Sequence, residues 1–231
     1  MTEPAIQIQG LRFAWKGNAP VLDVPDFTLA RGERLFLRGP SGSGKSTLLG
    51  VIAGVLEADA GKVSVLGQDL ASLSSSARDR MRADHLGVIF QMFNLVPYLS
   101  VVGNVTLPLK FSAARRKAVG GDADAEARRL LGRLGLMDEA MLERRVSDLS
   151  VGQQQRVAAA RALIGAPEIV IADEPTSALD ADARDRFITL LSEEAARTGA
   201  ALLFVSHDAS LARLFDRAVD LAEINRAGVK A

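Results

Sequence analysis

Cysteine is absent from the 231 residues. Its absence excludes a disulfide scaffold, a Cys-ligated zinc or iron–sulfur centre and a thiol nucleophile, and it fits a reducing compartment. Histidine is scarce: His85 and His207 stand alone, too few for a His-rich metal site. Net charge is missing too, since Lys+Arg and Asp+Glu both number 28, so the summed field holds no general attraction for polyanions. Nucleic acid is therefore not an expected partner. Apolar runs such as Ala200 to Val205 fall far short of the roughly 18–20 residues that cross a bilayer. Met1-Thr2-Glu3-Pro4 lacks a basic segment followed by an apolar run, so no secretory leader is expected. The expected placement is cytoplasmic, with any membrane role peripheral.

What remains is ordinary globular composition, 48% hydrophobic and 24% charged, in a length that suits one large domain or one domain with a subdomain. Repeats and low-complexity segments are not apparent. Short aliphatic runs alternate with longer helical periods, the grammar of an α/β sheet. Leu35–Leu37, Gly87–Phe90, Ile169–Ala172 and Leu202–Val205 read as buried parallel strands, each short and apolar throughout. Ile6 to Leu29 alternates more, carries Gly17-Asn18, Pro20 and Pro25 as turn signals, and reads as an antiparallel edge region. From about Phe93 to Leu163 helical periodicity takes over, interrupted at Gly120-Gly121-Asp122, with Asp124 as the expected cap of a helix over Ala125 to Leu134. A helical lobe inserted into a sheet-based core follows.

Gly39-Pro40-Ser41-Gly42-Ser43-Gly44-Lys45-Ser46 fits G-x-x-x-x-G-K-[ST], and it lies between a strand and the apolar helical run Leu48-Leu49-Val51-Ile52. The glycines let backbone N–H groups converge on phosphate oxygens, and the helix presents its free N–H groups and positive dipole end to the same anion. Lys45 adds a point charge for the β- and γ-phosphates, and Ser46 a hydroxyl for Mg²⁺. A mere Gly/Ser turn before a helix would not need both Lys45 and Ser46 in register. Ile169 to Pro175 is a strand ending in two carboxylates: Asp173 is expected to hold Mg²⁺ through water, and Glu174 to orient and deprotonate an attacking water. His207 follows a strand through Ser206 and would polarise the γ-phosphate. His85 precedes its strand, at the wrong end for chemistry, and reads as structural.

Leu149-Ser150-Val151-Gly152-Gln153-Gln154-Gln155-Arg156 resembles the signature motif of the ATP-binding-cassette (ABC) ATPase family, and further motifs follow in that family's order. The resemblance covers nearly the whole chain. It implies an α/β P-loop NTPase core with an N-terminal antiparallel β region and an inserted α-helical lobe. Residues 1–91 and 161–231 would form the core, 92–160 the lobe, within one nucleotide-binding domain spanning 1–231. It further implies ATP and Mg²⁺ as cofactors, with Trp15 stacking on adenine in preference to Phe13, and with phosphate contacts from Gly39, Ser41, Gly42, Gly44, Lys45, Ser46 and Thr47. Gln91 matches the glutamine at the junction with the lobe. With it, the implied metal contacts are Ser46, Gln91 and Asp173, and the catalytic set is Glu174, His207 and Gln91.

The motif Ser177-Ala178-Leu179-Asp180 matches the one that bridges two subunits. One phosphate loop leaves the γ-phosphate open, so Ser150, Gly152, Gln153 and Asp180 of a second copy would close over it, making an ATP-dependent homodimer. Val151 stands where the family usually has glycine; a demand for positive φ there would strain valine and weaken ATP-driven closure. The C-terminal stretch Asp220 to Arg226 also departs from the family's usual strand–turn ending.

Phe90 to Val101, continuing through Asn104-Val105 and Leu107-Pro108-Leu109, is similar to the branch of lipoprotein-releasing and macrolide-exporting ATPases. Phe93, Leu95 and Tyr98 follow Gln91 and would either grip a short helix of a membrane subunit or pack the lobe. The short stretch after His207 leaves no room for a regulatory extension, which favours a cassette working with a separate integral membrane permease, on the inner face of the cell membrane. Alternatives are an ATPase that actuates a membrane partner in cell-wall or division signalling, and an amino-acid importer. A DNA-repair cassette would need a long coiled coil, which is missing, and a small-molecule kinase has no use for Leu149–Arg156.

Overall fold

Alternating apolar and polar residues in Ile6–Ala14 (β1) and Pro20–Leu29 (β2) let each strand bury one face, and the tight turn Trp15–Asn18 joins them as an antiparallel pair. In the computed structural model, which describes residues 3–176 and 179–227, this pair is extended by Ala60–Val65 (β4) and Gln68–Asp69 (β5) in the order β2-β1-β4-β5. The strand β4 is not evident from its sequence. Its Gly61, at φ 89°, runs so close to β1 that an added Cβ would lie 2.3 Å from the Gly10 carbonyl oxygen.

The second sheet is parallel, Arg34–Arg38 (β3), Leu86–Ile89 (β6), Ile169–Asp173 (β7), Ala201–Ser206 (β8) and Arg217–Asp220 (β9), ordered β6-β7-β8-β3-β9. Four of these are the apolar runs read as buried strands. Their alternate residues feed two separate cores: Phe36, Val170, Ala172, Leu202 and Phe204 on one face, Leu35, Leu37, Ile169, Ile171, Leu203 and Val205 on the other. The polar β9 has no such signature; it is pinned instead by parallel pairing to β3 and by the ion pairs Arg34–Asp216 and Arg38–Asp220, the latter at 2.7 Å.

Helix α1 (Lys45–Ile52) and the antiparallel sheet cover the second face. Helix α2 (Ser75–His85) leads into β6. The first face is covered by α7 (Val151–Leu163) and α8 (Ala181–Thr198); α3 (Val101–Thr106) and α5 (Ala123–Arg133) pack in turn on α7, with the shorter α4 (Ala113–Val119) and α6 (Glu139–Leu142) between them. The last helix is α9 (Leu221–Ile224). The expectation that Asp124 caps a helix is corrected: Asp122 is the cap, accepting from Ala125 N–H at 2.9 Å, and α5 begins at Ala123. Both aspartates offer the same side chain, and the extended backbone at Asp122 decides between them.

Two polar ties fasten the α4–α5 region to the sheet-bearing part. Glu194 of α8, fully buried, accepts from Arg129 and Arg133 of α5 and from Arg197 of its own helix. Against a burial that would raise it, the Arg133 and Arg197 hydrogen bonds hold this carboxyl below its ordinary value. Arg115 of α4 reaches to the carbonyls of Leu86 (2.6 Å) and Ile164 (3.4 Å); burial pushes its guanidinium down to about 10, still charged at neutral pH. Among the described residues no helix is long and apolar enough to cross a membrane.

Candidate active site

Strand register brings the sequence motifs to one edge. Leu37 pairs with Val205 and Arg38 with Ser206, while Asp173 also pairs with Val205 and Ile89 with Ala172. The phosphate loop after β3, Gln91 after β6, Asp173-Glu174 at the end of β7 and His207 after β8 therefore emerge side by side at the carboxyl ends of the strands, where open α/β sheets bind ligands. A cleft of about 420 Å³ is lined there by Trp15, Val21, Ser41, Gly42, Gly44, Lys45, Ser46, Thr47, Gln91, Asp173 and Glu174.

The loop is built to leave donors free. Gly44 sits at φ 96°, a left-handed conformation that also brings its Cα side against Val21, and no side chain caps the helix that follows. The first N–H groups of α1 thus have neither intrahelical nor capping partners and face an anion site. Lys45 is almost wholly buried. Its Nζ donates to the carbonyls of Gly39 (2.8 Å) and Pro40 (2.9 Å) and lies 3.4 Å from Oε1 of Glu174.

Ser46 Oγ donates to Oδ2 of Asp173 at 3.1 Å. Burial raises the Asp173 carboxyl above its ordinary value; the Ser46 hydrogen bond opposes this, and the Glu174 charge adds to it. Glu174 occupies a left-handed backbone conformation, φ 45°, fixed by its N–H donating to the Val205 carbonyl at 2.9 Å. Such a conformation costs a non-glycine residue roughly 1–2 kcal/mol, and here it aims the carboxylate between two partners. One is Lys45. The other is His207, whose Nδ1 donates to Oε2 at 3.1 Å. Nothing in the sequence announces that strain.

The remaining expected residues are placed in and around the cleft as follows. Gly39 lies beneath the cleft as a Lys45 acceptor, and His207 lines a smaller recess of about 90 Å³ shared with Glu174. Ser150, Gly152, Gln153 and Asp180 do not line this chain's cleft. Ser150 and Gln153 form a reciprocal capping box at the start of α7, and Asp180 caps α8 by accepting from Ala183 N–H at 2.8 Å. Ser177 and Ala178 lie outside the described residues. Trp15 is half exposed at the cleft, while Phe13 is buried edge-on beneath it, ring centroids 5.1 Å apart. Val21, an apolar residue of β2, lines the cleft with no sequence signal to mark it.

One expectation is corrected, and of the two alternatives left open for Phe93 and Leu95 the packing one is found. Val151 is the first residue of α7 with no positive φ, so the backbone strain anticipated for valine is absent. Phe93 and Leu95 pack against the core, their segment held by Arg161 donating to the carbonyls of Phe93 and Asn94. The open groove beside Gln91, about 370 Å³, has Phe90, Leu107, Pro108 and Phe111 on its walls together with Arg82, Arg115 and Arg161. Tyr98 remains exposed.

Known proteins resemble this chain along almost its whole length. The lipoprotein-releasing system ATP-binding protein LolD of Anaeromyxobacter dehalogenans is 42% identical over 95% of this chain and 91% of its own. The macrolide export ATP-binding/permease protein MacB 2 of Aeromonas hydrophila is 36% identical over 96% of this chain, which spans 34% of that relative. Among solved structures, a dimeric post-hydrolysis state of the ATP-binding cassette MJ0796 bound to ADP and Pi superposes with a TM-score of 0.83 at 32% identity, covering 93% of each chain. Residues 22–177 match the family described as ABC transporter, and with these relatives across almost its full length the chain belongs to that family.

Proposed function

We propose that this cassette binds ATP in the 420 Å³ cleft, dimerises on it, hydrolyses it with Glu174 as general base and so drives a membrane permease of the lipoprotein-releasing or macrolide-exporting kind. The observation that carries the reading is Glu174 held between Lys45 (3.4 Å) and His207 (3.1 Å) at the strand edge that also carries the phosphate loop. Glu174 accepts the proton of the attacking water, and His207 fixes that carboxylate's orientation from the outer side. Lys45 Nζ donates to the Gly39 and Pro40 carbonyls and is ion-paired with Glu174; phosphate oxygens take over as its partners, and Glu174 is released to the water. Trp15 serves as the adenine platform.

Mg²⁺ fits the donor set. Ser46 Oγ and Asp173 Oδ2 are hard oxygens within 3.1 Å of each other, Gln91 lines the same wall, and among the described residues no cluster of three acidic or His side chains could cage a metal alone. That suits an ion that keeps waters and shares substrate phosphates. When bound, Mg²⁺ neutralises charge developing on the β- and γ-phosphates.

Ser150, Gly152, Gln153 and Asp180, away from their own cleft, act across the dimer on the partner's γ-phosphate. The N-terminus of α7 supplies N–H groups and the positive end of a dipole for that purpose. The solved dimer of a similar cassette supports this arrangement. The groove of Phe90, Leu107, Pro108 and Phe111, one residue from Gln91, receives a short helix of the permease at the inner face of the membrane. The test is Glu174→Gln: with ATP it elutes as a dimer and releases little phosphate, and a variant that stays monomeric under saturating ATP refutes the shared-site reading.

A further inference from the structure

The C-terminal residues after β9 wrap behind the phosphate loop. Leu221 of α9 lies against its first glycine, such that an added Cβ on Gly39 would be 3.3 Å from the leucine Cβ. Asn225 lies against its far end and is nine-tenths buried. All four hydrogen-bonding positions of its side-chain amide are used. Nδ2 donates to the carbonyls of Val21 (2.9 Å) and Ser43 (3.4 Å), while Oδ1 accepts from the N–H groups of Asp23 (2.8 Å) and Ala227 (3.1 Å). Two carbonyls on one side and two N–H groups on the other fit an amide in one orientation, and no carboxylate can make the first pair.

We infer that Asn225 is a positioning residue for phosphate binding: by holding the Ser43 carbonyl on the rear of the loop it aims the Gly44 N–H into the cleft. The peptide between Ser43 and Gly44 is planar and trans, so its C=O and N–H point in opposite directions. A carbonyl tied to Asn225 turns the N–H toward the side lined by Gly42, Gly44 and Lys45. Among the described residues that N–H has no acceptor within the protein. The second carbonyl tied by Asn225, that of Val21, would lie 3.3 Å from a Cβ on Gly44, so one side chain sets both the loop peptide and the strand it rests on. The assignment rests on the cleft being a triphosphate site. It adds a residue from the very region where the sequence departs from the family's usual ending.

Asn225→Asp keeps the size and both acceptor bonds and replaces two donor bonds with carboxylate–carbonyl repulsion; Asn225→Ser removes the amide more gently. ATP turnover and quenching of Trp15 fluorescence by ATP are measured for wild type, both variants and Lys45→Ala, with melting temperature recorded for each. The expected result is a KM and a fluorescence Kd for ATP raised about tenfold in Asn225→Asp, with kcat within twofold and the melting temperature lowered by a few degrees at most. An unchanged KM in folded Asn225→Asp overturns the assignment. So does a loss confined to kcat, or unfolding of both Asn225 variants, which would make the amide a brace for the fold alone. If Lys45→Ala binds ATP like wild type, it is the triphosphate reading of the cleft that fails.

Discussion

Replacing glycine by alanine should have opposite effects at two positions that look alike in sequence. Gly87 is in β6, where an added Cβ would lie 2.2 Å from the Ala162 carbonyl oxygen, 2.9 Å from its carbon and 3.2 Å from Cγ of Pro167. The obstacle is mostly helix backbone, so no rotamer change relieves it. Restoring ordinary contact at 3.4 Å requires the last turn of α7 to recede by about 1 Å from a close-packed sheet. Overpacking of this kind costs about 1–3 kcal/mol, and with backbone as the obstacle the upper half of that range applies. Gly132 lies in α5 with helical geometry and nothing within 4 Å of an added Cβ. There alanine gains about 0.5–1 kcal/mol by reducing the freedom of the unfolded chain. At about 2–4 °C per kcal/mol for a chain of this size, Gly87→Ala should melt about 5–10 °C lower and Gly132→Ala about 1–4 °C higher. Thermal unfolding by circular dichroism, with urea midpoints alongside, measures both. Because α7 carries Ser150 about 18 Å along its axis from Ala162, the Gly87 variant should also need more ATP to dimerise. A Gly87→Ala protein as stable as wild type would refute the claim that strand and helix backbones are in direct contact.

Ser150→Ala removes one half of the capping box and should cost about 1 kcal/mol, together with a fall in ATP turnover; unchanged turnover would leave Ser150 a cap and nothing more. Val151→Gly should not raise turnover and should lower the melting temperature slightly, since valine starts a helix without strain there; faster hydrolysis would contradict this. Binding of ATP should change the emission of Trp15, the single tryptophan, and a flat titration to saturation would remove it as the adenine platform. The His85–Glu168 hydrogen bond raises the His85 pKa, and, against burial, holds the Glu168 carboxyl below its ordinary value. The histidine contribution is complete below about pH 6.5 and is lost as pH rises through the raised folded value; the carboxylate contribution is present above about pH 4.5 and is lost on acidification. Stability from this pair therefore falls as pH rises above about 6.5, and in His85→Gln that part of the fall in melting temperature should disappear.

Much of the molecule was legible before folding. The four apolar strand runs, the alternating N-terminal region and the phosphate loop are local patterns, written in adjacent residues, and the order of motifs along the chain carried the family resemblance. Helix starts were legible only approximately, because Asp122 and Asp124 carry the same capping group and the backbone conformation selects one. The strands β4 and β9 were not legible: glycine, lysine, arginine and aspartate become strand residues when a neighbouring edge supplies the hydrogen bonds and ion pairs.

Sequence by itself determined which chemical groups are available, since a Gly-rich loop with Lys45 and Ser46, a carboxylate pair and a histidine after a strand specify phosphate chemistry by residue type and spacing. Tertiary structure alone decided how those groups are held. Parallel register brought Lys45, Glu174 and His207 within hydrogen-bonding range, a left-handed backbone aimed Glu174 between them, and Asn225 reached the loop from about 180 residues away. Such arrangements depend on contacts between segments remote in the chain, where hydrogen-bond geometry and close packing, not local propensity, set the energy.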